Sequence, residues 1–213
     1  MENFVITIAR GFGSGGKTIA QQLAQKLDVN FYDRKLLRIA SDQSGINEAL
    51  FGQLDEKLKG NALLRISKKF YSGEVFPPDD EDFLSDENLY NYQAKVIKEL
   101  AAEESCVILG RCANYVLKDY KNVLRVYIHA PIEACIKSVS SYTPLPDAKI
   151  EKMITTTDKK RAAYYRYFTG HDWRNAQYYD LCLNSDDIGR ERCVELITDY
   201  LQIKVGAKKP SEQ

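Results

Sequence analysis

The stretch Ile8-Ala9-Arg10-Gly11-Phe12-Gly13-Ser14-Gly15-Gly16-Lys17-Thr18 decides the fold of this chain. Positions 11–18 match G-x-x-x-x-G-K-[ST], the P-loop pattern whose backbone cradles phosphates. An apolar run of buried-strand type, 4–9, precedes the loop, and apolar residues at helical spacing follow it over 19–27. A strand, a glycine loop and a helix in this order are the context that the pattern requires.

Each residue type in the loop has a physical reason. Glycines adopt backbone conformations that a Cβ forbids, and they let the chain approach a phosphate closely. Their N–H groups and the positive end of the following helix form an anion site. We predict that Lys17 reaches the β- and γ-phosphates of ATP and that the Thr18 hydroxyl binds Mg²⁺. The predicted cofactor-binding residues are Gly11, Gly13, Ser14, Gly15, Gly16, Lys17 and Thr18.

Length and composition bound the class of protein. A chain of 213 residues suffices for one α/β core and is short for two domains. Its 30 basic and 30 acidic residues give no net charge, which argues against a nucleic-acid or membrane surface. We expect neither a signal peptide nor a transmembrane segment. The five cysteines form no C-x-x-C pair, and Cys106, Cys182 and Cys193 lie in apolar segments, which favours reduced core thiols in a cytoplasmic protein.

Further apolar segments predict four more strands, at 29–33, 106–110, 122–129 and 178–183. Helical patterns separate them, so we expect an α/β fold in three layers, with a five-stranded parallel sheet and helices on both faces. Ligands of such a sheet bind outside the carboxyl ends of the strands, where Asp33 and Arg111 stand. Asp33 could instead cap the helix predicted over 34–41.

We predict a single domain over 1–206 with a helical acceptor-binding insertion at about 46–103 and a disordered tail at 207–213. The insertion begins with two short helices broken at Gly60-Asn61 and ends with a helix over 86–103. Between them, an acidic loop with two prolines, 72–82, excludes regular structure. Such a loop is mobile, functional or simply a solvated excursion.

A basic and aromatic helix, within about 146–174, is predicted to form a lid. Lys160, Arg161 and Arg166 could place positive charge over phosphates. P-loop phosphotransferases use an arginine to neutralise the charge that develops on the transferred phosphoryl group. The alternative is a helix with a solvated basic face and a packed aromatic side.

Several blocks of the chain together resemble the cytidylate kinase-like family, within the nucleoside monophosphate kinases. The resemblance runs from Val5 to about Leu201. Besides the P-loop it rests on FYDR at 31–34, VILGR at 107–111, VYIHAP at 126–131, Asp158-x-x-Arg161, and YDLCLN at 179–184. It implies a three-layer P-loop fold with an ATP site, a nucleotide-acceptor site and a basic lid.

The resemblance also implies roles for single residues. Asp33 would lie near the acceptor, Arg111 would bind the acceptor's phosphate, and Arg161 would be a lid arginine. The predicted catalytic residues are Lys17, Asp33, Arg111 and Arg161, and the predicted substrate-binding residues are Asp33, Arg34, Arg38, Arg111 and Asp158.

Three positions depart from the pattern of cytidylate kinases. Those enzymes carry an Asp where this chain has Cys112, a lid Arg where it has Ile154, and a small hydroxyl residue where it has Arg34. Their Gly-Tyr-Arg signature is missing too, although Arg38 could partly replace it. The residues that bind phosphates in that family are present in this chain, and the residues that recognise cytosine are not. We therefore predict a kinase that acts on a nucleoside monophosphate or related small acceptor, with CMP a weak acceptor or none.

Two other functions compete with this prediction. One is a non-catalytic, regulatory nucleotide-binding protein derived from a kinase. The other is a GTPase switch, but no N-K-x-D occurs, and the D-x-x-G match at Asp42–Gly45 lies in a predicted helix close to the P-loop. As partners we expect a nucleotide and a small-molecule acceptor, without nucleic acid or membrane, and a homodimer is left open.

Overall fold

The computed structural model describes residues 3–57 and 74–205. Within them, the strands are β1 (Val5–Arg10), β2 (Asn30–Tyr32), β3 (Cys106–Leu109), β4 (Val123–His129) and β5 (Leu181–Asn184). All are parallel and lie in the order β2-β3-β1-β4-β5. The carboxyl ends of β2, β3 and β1 are therefore neighbours. The predicted five-stranded parallel sheet is confirmed.

Helices cover both faces of this sheet. They are α1 (Gly16–Leu27), α2 (Lys35–Ser44), α3 (Glu48–Lys57), α4 (Asp86–Glu103), α5 (Ala113–Val116), α6 (Ile132–Ser140), α7 (Asp147–Thr169), α8 (Ser185–Ile188) and α9 (Arg190–Val205). In the described part of the chain, no helix combines the length and the apolar character needed to cross a membrane.

The alternation of side chains along β1 explains the layers. Ile6 and Ile8 are buried on one face among residues of α1 and α9. Val5 belongs to the cluster on the other face, which includes residues of α2, α3, α4 and α7. Burial of each such side chain contributes about 1.5–3 kcal/mol, so the central strand is fixed from both sides. This rigid strand ends directly at the glycine loop.

Three local predictions were wrong. β5 begins at Leu181, later than expected, because Ala176–Tyr178 forms a short 3-10 helix capped by the Asn175 side chain. Asp33 does not cap α2. The N-cap residue is Arg34, and among the described residues no side chain forms a capping hydrogen bond at this helix end. Cys182 is exposed and is not a core residue. All five cysteines are free thiols, as expected, and the other four are buried.

The acidic loop is fastened to α4 on its described side. Asn88 is fully buried, and its Oδ1 accepts a hydrogen bond from the Phe76 N–H at 2.8 Å, while its Nδ2 donates to the Phe83 carbonyl at 2.8 Å. The acidic residues at 79–82 are exposed. The acidic run is thus a surface feature on a segment that is held in place. The break at Gly60-Asn61, positions 72–73 of the loop and the tail at 207–213 lie outside the described residues.

Arg125 ties the loop between α5 and β4 to the end of the sheet. Its guanidinium Nη2 donates to the carbonyls of Leu117 and Lys118 at 2.7 Å each. The Asp180 carboxylate accepts a hydrogen bond from the Arg125 backbone N–H at 2.8 Å. Asp180 also pairs with Lys204 of α9 at 2.5 Å. These contacts connect β4, the start of β5 and the last helix.

Candidate active site

The glycine loop is closely surrounded by protein on its outer side. Gly13 and Gly15 have φ values of +84° and +76°, in the left-handed region that favours glycine. A Cβ at Gly13 would lie 2.9 Å from both the Cβ and the backbone oxygen of Cys135, and one at Gly15 would lie 2.6 Å from Nε of Arg190. The backbone conformation favours glycine at both positions, and at Gly13 the backbone of Cys135 also leaves no space for a side chain, whereas the exposed Arg190 side chain beside Gly15 could move.

The N-terminus of α1 is open to an anion. Among the described residues, no side chain caps this helix end, and its first turn holds no acidic residue. Lys17 lies in that turn with 60% of its side chain exposed, and its Nζ pairs with the Asp33 carboxylate at 2.9 Å. Ser14 is buried, and its hydroxyl donates to the Gly11 carbonyl at 2.9 Å, so it stabilises the loop from within. Free helix N–H groups beside a lysine suit phosphate oxygens.

A magnesium ion bound together with a nucleotide fits this donor set. Thr18, half-buried in the same turn, offers a hydroxyl, and Asp33 offers a carboxylate nearby. Across residues 3–57 and 74–205, no group of three His, Cys, Asp or Glu side chains could hold a metal by itself. Mg²⁺ in kinases commonly uses one or two protein oxygens and completes its shell with phosphates and water.

Asp158 connects α7 to the glycine loop. Its Oδ1 accepts a hydrogen bond from the Phe12 backbone N–H at 2.9 Å and another from Arg161 Nη1 at 3.2 Å. Arg161 Nη1 also donates to the carbonyl of Arg10 at 3.1 Å, and its guanidinium lies 5.6 Å from the centre of the Phe12 ring. The predicted lid arginine is thus already held against the phosphate loop.

Burial governs the ionisation of Asp158. Removal from water raises the pKa of this carboxyl, while the Phe12 N–H and the Arg161 guanidinium act in the opposite direction and only partly offset the effect. A carboxylate kept in such a place orients its partners, since its two hydrogen bonds fix both the loop and Arg161.

A cavity of about 810 Å³ extends from the end of β1 beneath α7. It has the size of a small-molecule site. Five cationic side chains and two acidic ones line it: Arg10, Arg34, Arg111, Lys160 and Arg161, with Asp33 and Glu48. Cationic residues outnumber acidic ones in this lining, so the cavity favours an anionic ligand.

Arg111 lies in a turn whose backbone has three consecutive residues with positive φ. Gly110, Arg111 and Cys112 follow β3 and have consecutive positive φ values of 77°, 58° and 54°. This region is strained for residues with a Cβ, and such strain concentrates at functional sites. The turn carries Arg111 to the carboxyl end of the sheet, while Cys112 is buried with 5% of its surface exposed.

Another part of the cavity wall is aromatic and carries two polar atoms that have no hydrogen-bond partner among the described residues. They are the Trp173 indole Nε1 and the Thr7 hydroxyl, in residues that are only 4% and 1% exposed. Tyr165 lines the same cavity and accepts a hydrogen bond from Asn114. Both atoms are enclosed by protein, so they are exceptions to the rule that buried polar groups are hydrogen-bonded.

The structure brings most of the predicted acceptor residues together. Asp33, Arg34 and Arg111 line the cavity, and so does Arg161, which was predicted as a catalytic residue of the lid. Arg38 is exposed on α2 and is not among the described residues that line it, and Asp158 faces the glycine loop instead. A substrate-binding role for these last two stays a prediction.

The sequence did not single out Arg10, Thr7, Glu48 or Trp173. A basic residue at the carboxyl end of β1, directly before the loop, could have indicated Arg10. Glu48 and Trp173 carry no such signal, because only the packing of α3 and of the segment after α7 brings them to the cavity.

Comparison with known proteins agrees with this architecture. A solved structure of an uncharacterized protein from Eubacterium ventriosum superposes with a TM-score of 0.70, at 23% identity over 94% of this chain and 99% of that one. A shikimate kinase from Bacteroides thetaiotaomicron gives a TM-score of 0.50, at 16% identity over 96% and 99% of the two chains. These similarities show the P-loop kinase fold.

Sequence comparison identifies the family. A cytidylate kinase from Sulfurisphaera tokodaii is 22% identical over 197 residues, which are 92% of this chain and 94% of that protein. The sequence pattern of the cytidylate kinase-like family matches residues 5–187. This match spans the phosphate loop, the cavity and the helix that covers it. The chain therefore belongs to the cytidylate kinase-like family.

Proposed function

We propose that this protein is an ATP-dependent phosphotransferase that moves the γ-phosphoryl group of ATP to a nucleoside monophosphate or a related phosphorylated small molecule. One observation carries the proposal: the cavity beside the phosphate loop is lined by five cationic side chains from separate parts of the chain. Family membership supports the reaction class. A cytoplasmic location and a homodimer stay predictions.

The donor would bind at the glycine loop. The open N-terminus of α1 and Lys17 would contact the β- and γ-phosphates, so that Lys17 exchanges its pairing with Asp33 for phosphate oxygens. Thr18 would hold Mg²⁺ together with the nucleotide. The ion supplies charge neutralisation on the phosphates, and the protein supplies the fixed N–H groups.

The acceptor would bind in the cavity. Arg34 and Arg111 would bind its phosphate, and the aromatic wall that includes Tyr165 and Trp173 would pack against its body. A phosphate acceptor is ionised at neutral pH and needs no general base. If the acceptor were a hydroxyl, Asp33 would be the best placed base.

Turnover of ATP over a panel of nucleoside monophosphates, nucleosides and small alcohols tests this proposal. We expect at least one nucleoside monophosphate to be phosphorylated. Lys17→Ala should lower kcat at least about 100-fold without changing the thermal midpoint, because Lys17 is mostly exposed. Lys159→Ala, an exposed lysine of α7, is the matched control.

The outcomes separate the two remaining functions. Wild-type rates in Lys17→Ala would remove the phosphate-loop assignment. ATP binding without turnover of any acceptor would favour the non-catalytic nucleotide-binding protein instead.

The identity of the acceptor needs its own measurement. Cys112 offers a thiol where cytidylate kinases offer a carboxylate, and a site without the required hydrogen-bond partner discriminates poorly. In titrations with CMP, dCMP, UMP and AMP beside a non-hydrolysable ATP analogue, CMP is expected to bind weakly. Tight and selective CMP binding would contradict this, and would indicate that Arg34 or Arg38 reads the base.

A further inference from the structure

Arg10 occupies the boundary between the phosphate loop and the cavity. It is the last residue of β1, and its half-buried side chain fills space that two glycines leave open. A Cβ at Gly16 would lie 2.5 Å from the Arg10 Cβ, and a Cβ at Gly110 would collide with Arg10 Nη1. The side chain therefore runs from the first residue of α1 to the loop that carries Arg111.

The surroundings of Arg10 are rich in positive charge. Its guanidinium lines the cavity together with Arg111 and Arg161, and its backbone carbonyl accepts a hydrogen bond from Arg161. The three arginines come from β1, the loop after β3, and α7. A guanidinium donates parallel hydrogen bonds in a planar fork that matches phosphate oxygens, and three such groups converge on one cavity here. The cluster therefore points to phosphate groups.

We propose that Arg10 binds the phosphoryl group while it is transferred, from a position between the donor and the acceptor. This inference rests on the proposed function. In the step, an oxygen of the acceptor phosphate forms a bond to the γ-phosphorus, and the bond from this phosphorus to the β–γ bridging oxygen breaks. The electron pair stays on ADP, and no proton moves. The planar guanidinium of Arg10 neutralises charge on the phosphoryl oxygens as the bonds change.

The position of Arg10 distinguishes it from Arg161. Arg161 belongs to a helix above the cavity and depends on Asp158 for its orientation. Arg10 belongs to the buried central strand and is confined between Gly16 and Gly110. A group on such a rigid element needs little reorganisation when charge develops, which is the condition for strong transition-state stabilisation.

Steady-state kinetics on Arg10 variants, with the best acceptor of the panel, tests the proposal. Arg10→Gln should lower kcat about 100-fold or more, while the KM for ATP changes less than about fivefold. Arg10→Lys should recover only part of the rate, because an ammonium lacks the planar fork. Arg192→Gln, an exposed arginine of α9, is the control, and thermal melts confirm that each variant is folded.

Chemical rescue of Arg10→Ala gives an independent test. Millimolar guanidinium ion should restore part of the rate of Arg10→Ala and none of the rate of Lys17→Ala. A purely structural role for Arg10 would not produce this rescue.

Equilibrium binding separates this proposal from the proposed function. ADP with Mg²⁺ should bind to Arg10→Gln and to the wild type with the same affinity. Fluoroaluminate imitates the transferred phosphoryl group, and its addition should tighten ADP binding at least about tenfold in the wild type only. A wild type without turnover refutes the proposed function. An Arg10→Gln variant with normal kcat, or with the same fluoroaluminate effect as the wild type, refutes the role of Arg10.

Discussion

Replacement of Asp158 tests how the helix above the cavity is held to the phosphate loop. Asp158→Ala removes the acceptor of the Phe12 N–H and of Arg161 Nη1. Asp158→Asn keeps an oxygen in the same place and removes only the charge. The two variants therefore separate the hydrogen-bond geometry from the ionisation of the carboxyl.

The magnitude follows from these contacts. A hydrogen bond to a charged group contributes about 1.5–3 kcal/mol, but burial disfavours the Asp158 carboxylate and offsets part of the two bonds. We expect Asp158→Ala to lower the free energy of unfolding by about 2 kcal/mol, which corresponds to roughly 4–8 °C in the thermal midpoint. Loss of orientation at Arg161 should lower kcat about 100-fold.

The direction of the pKa shift of Asp158 determines how its contribution to folding stability depends on pH. Because burial raises the pKa of Asp158 above its unfolded value, the folded protein binds a proton there more readily than the unfolded chain. The contribution of Asp158 to stability is thus greatest below the unfolded pKa of 3.8 and is lost as pH rises through the folded pKa. At pH 7, Asp158→Asn should be at least as stable as the wild type, and this advantage should vanish toward pH 3.

Thermal melts between pH 3 and 8 and kinetics at pH 7 measure both effects. Asp158→Asn should keep much more of the rate than Asp158→Ala. Equal rates in Asp158→Ala and the wild type would refute the argument that this carboxylate positions Arg161. A stability gain of Asp158→Asn that grows toward low pH would refute the sign of the pKa shift.

Three further measurements follow from the structure. Arg111→Ala should raise the KM or Kd of the acceptor at least about tenfold and change kcat less than Asp158→Ala does, because Arg111 stands on a fixed turn. The reverse pattern in steady-state kinetics would contradict the assignment of Arg111 to the acceptor. Arg125→Met should lower the free energy of unfolding by about 1.5–3 kcal/mol in urea denaturation, because the carbonyls of Leu117 and Lys118 lose their charged donor while Asp180 keeps its pairing with Lys204; a loss below about 0.5 kcal/mol would contradict this. A thiol reagent should label one cysteine rapidly in the folded protein, and Cys182→Ser should abolish this label, since the other four thiols are buried.

The local part of the site was predictable because its signals are contiguous. Glycines, Lys17 and Thr18 stand within eight positions, and the strand and helix on either side follow from the periodicity of their apolar residues. The sheet with helices on both faces follows from strands that alternate with helical segments. Errors occurred where no periodic pattern exists, as at the 3-10 helix before β5.

The cavity was less predictable because its contacts join distant positions. Phe12 and Asp158 are 146 residues apart in sequence, and no local pattern shows that the Asp158 carboxylate faces the loop rather than the acceptor. The same holds for Trp173, which the sequence places at the end of the predicted lid segment and which the structure places in the wall of the cavity. Side-chain direction at such positions depends on tertiary packing alone.

Ile154 stands where cytidylate kinases carry an arginine in the lid, and its surroundings show what this position does in the present chain. Ile154 is 3% exposed and packs with Cys135, Val139 and Ile150 between α6 and α7. An arginine there would lose this packing, so this turn of α7 serves as an anchor of the helix. The cations that line the cavity stand elsewhere: Arg10 reaches it from the central strand, and Lys160 and Arg161 lie on later turns of α7. Because Arg10 stands on the rigid central strand, its removal should lower kcat more than the loss of any single cation on α7 does.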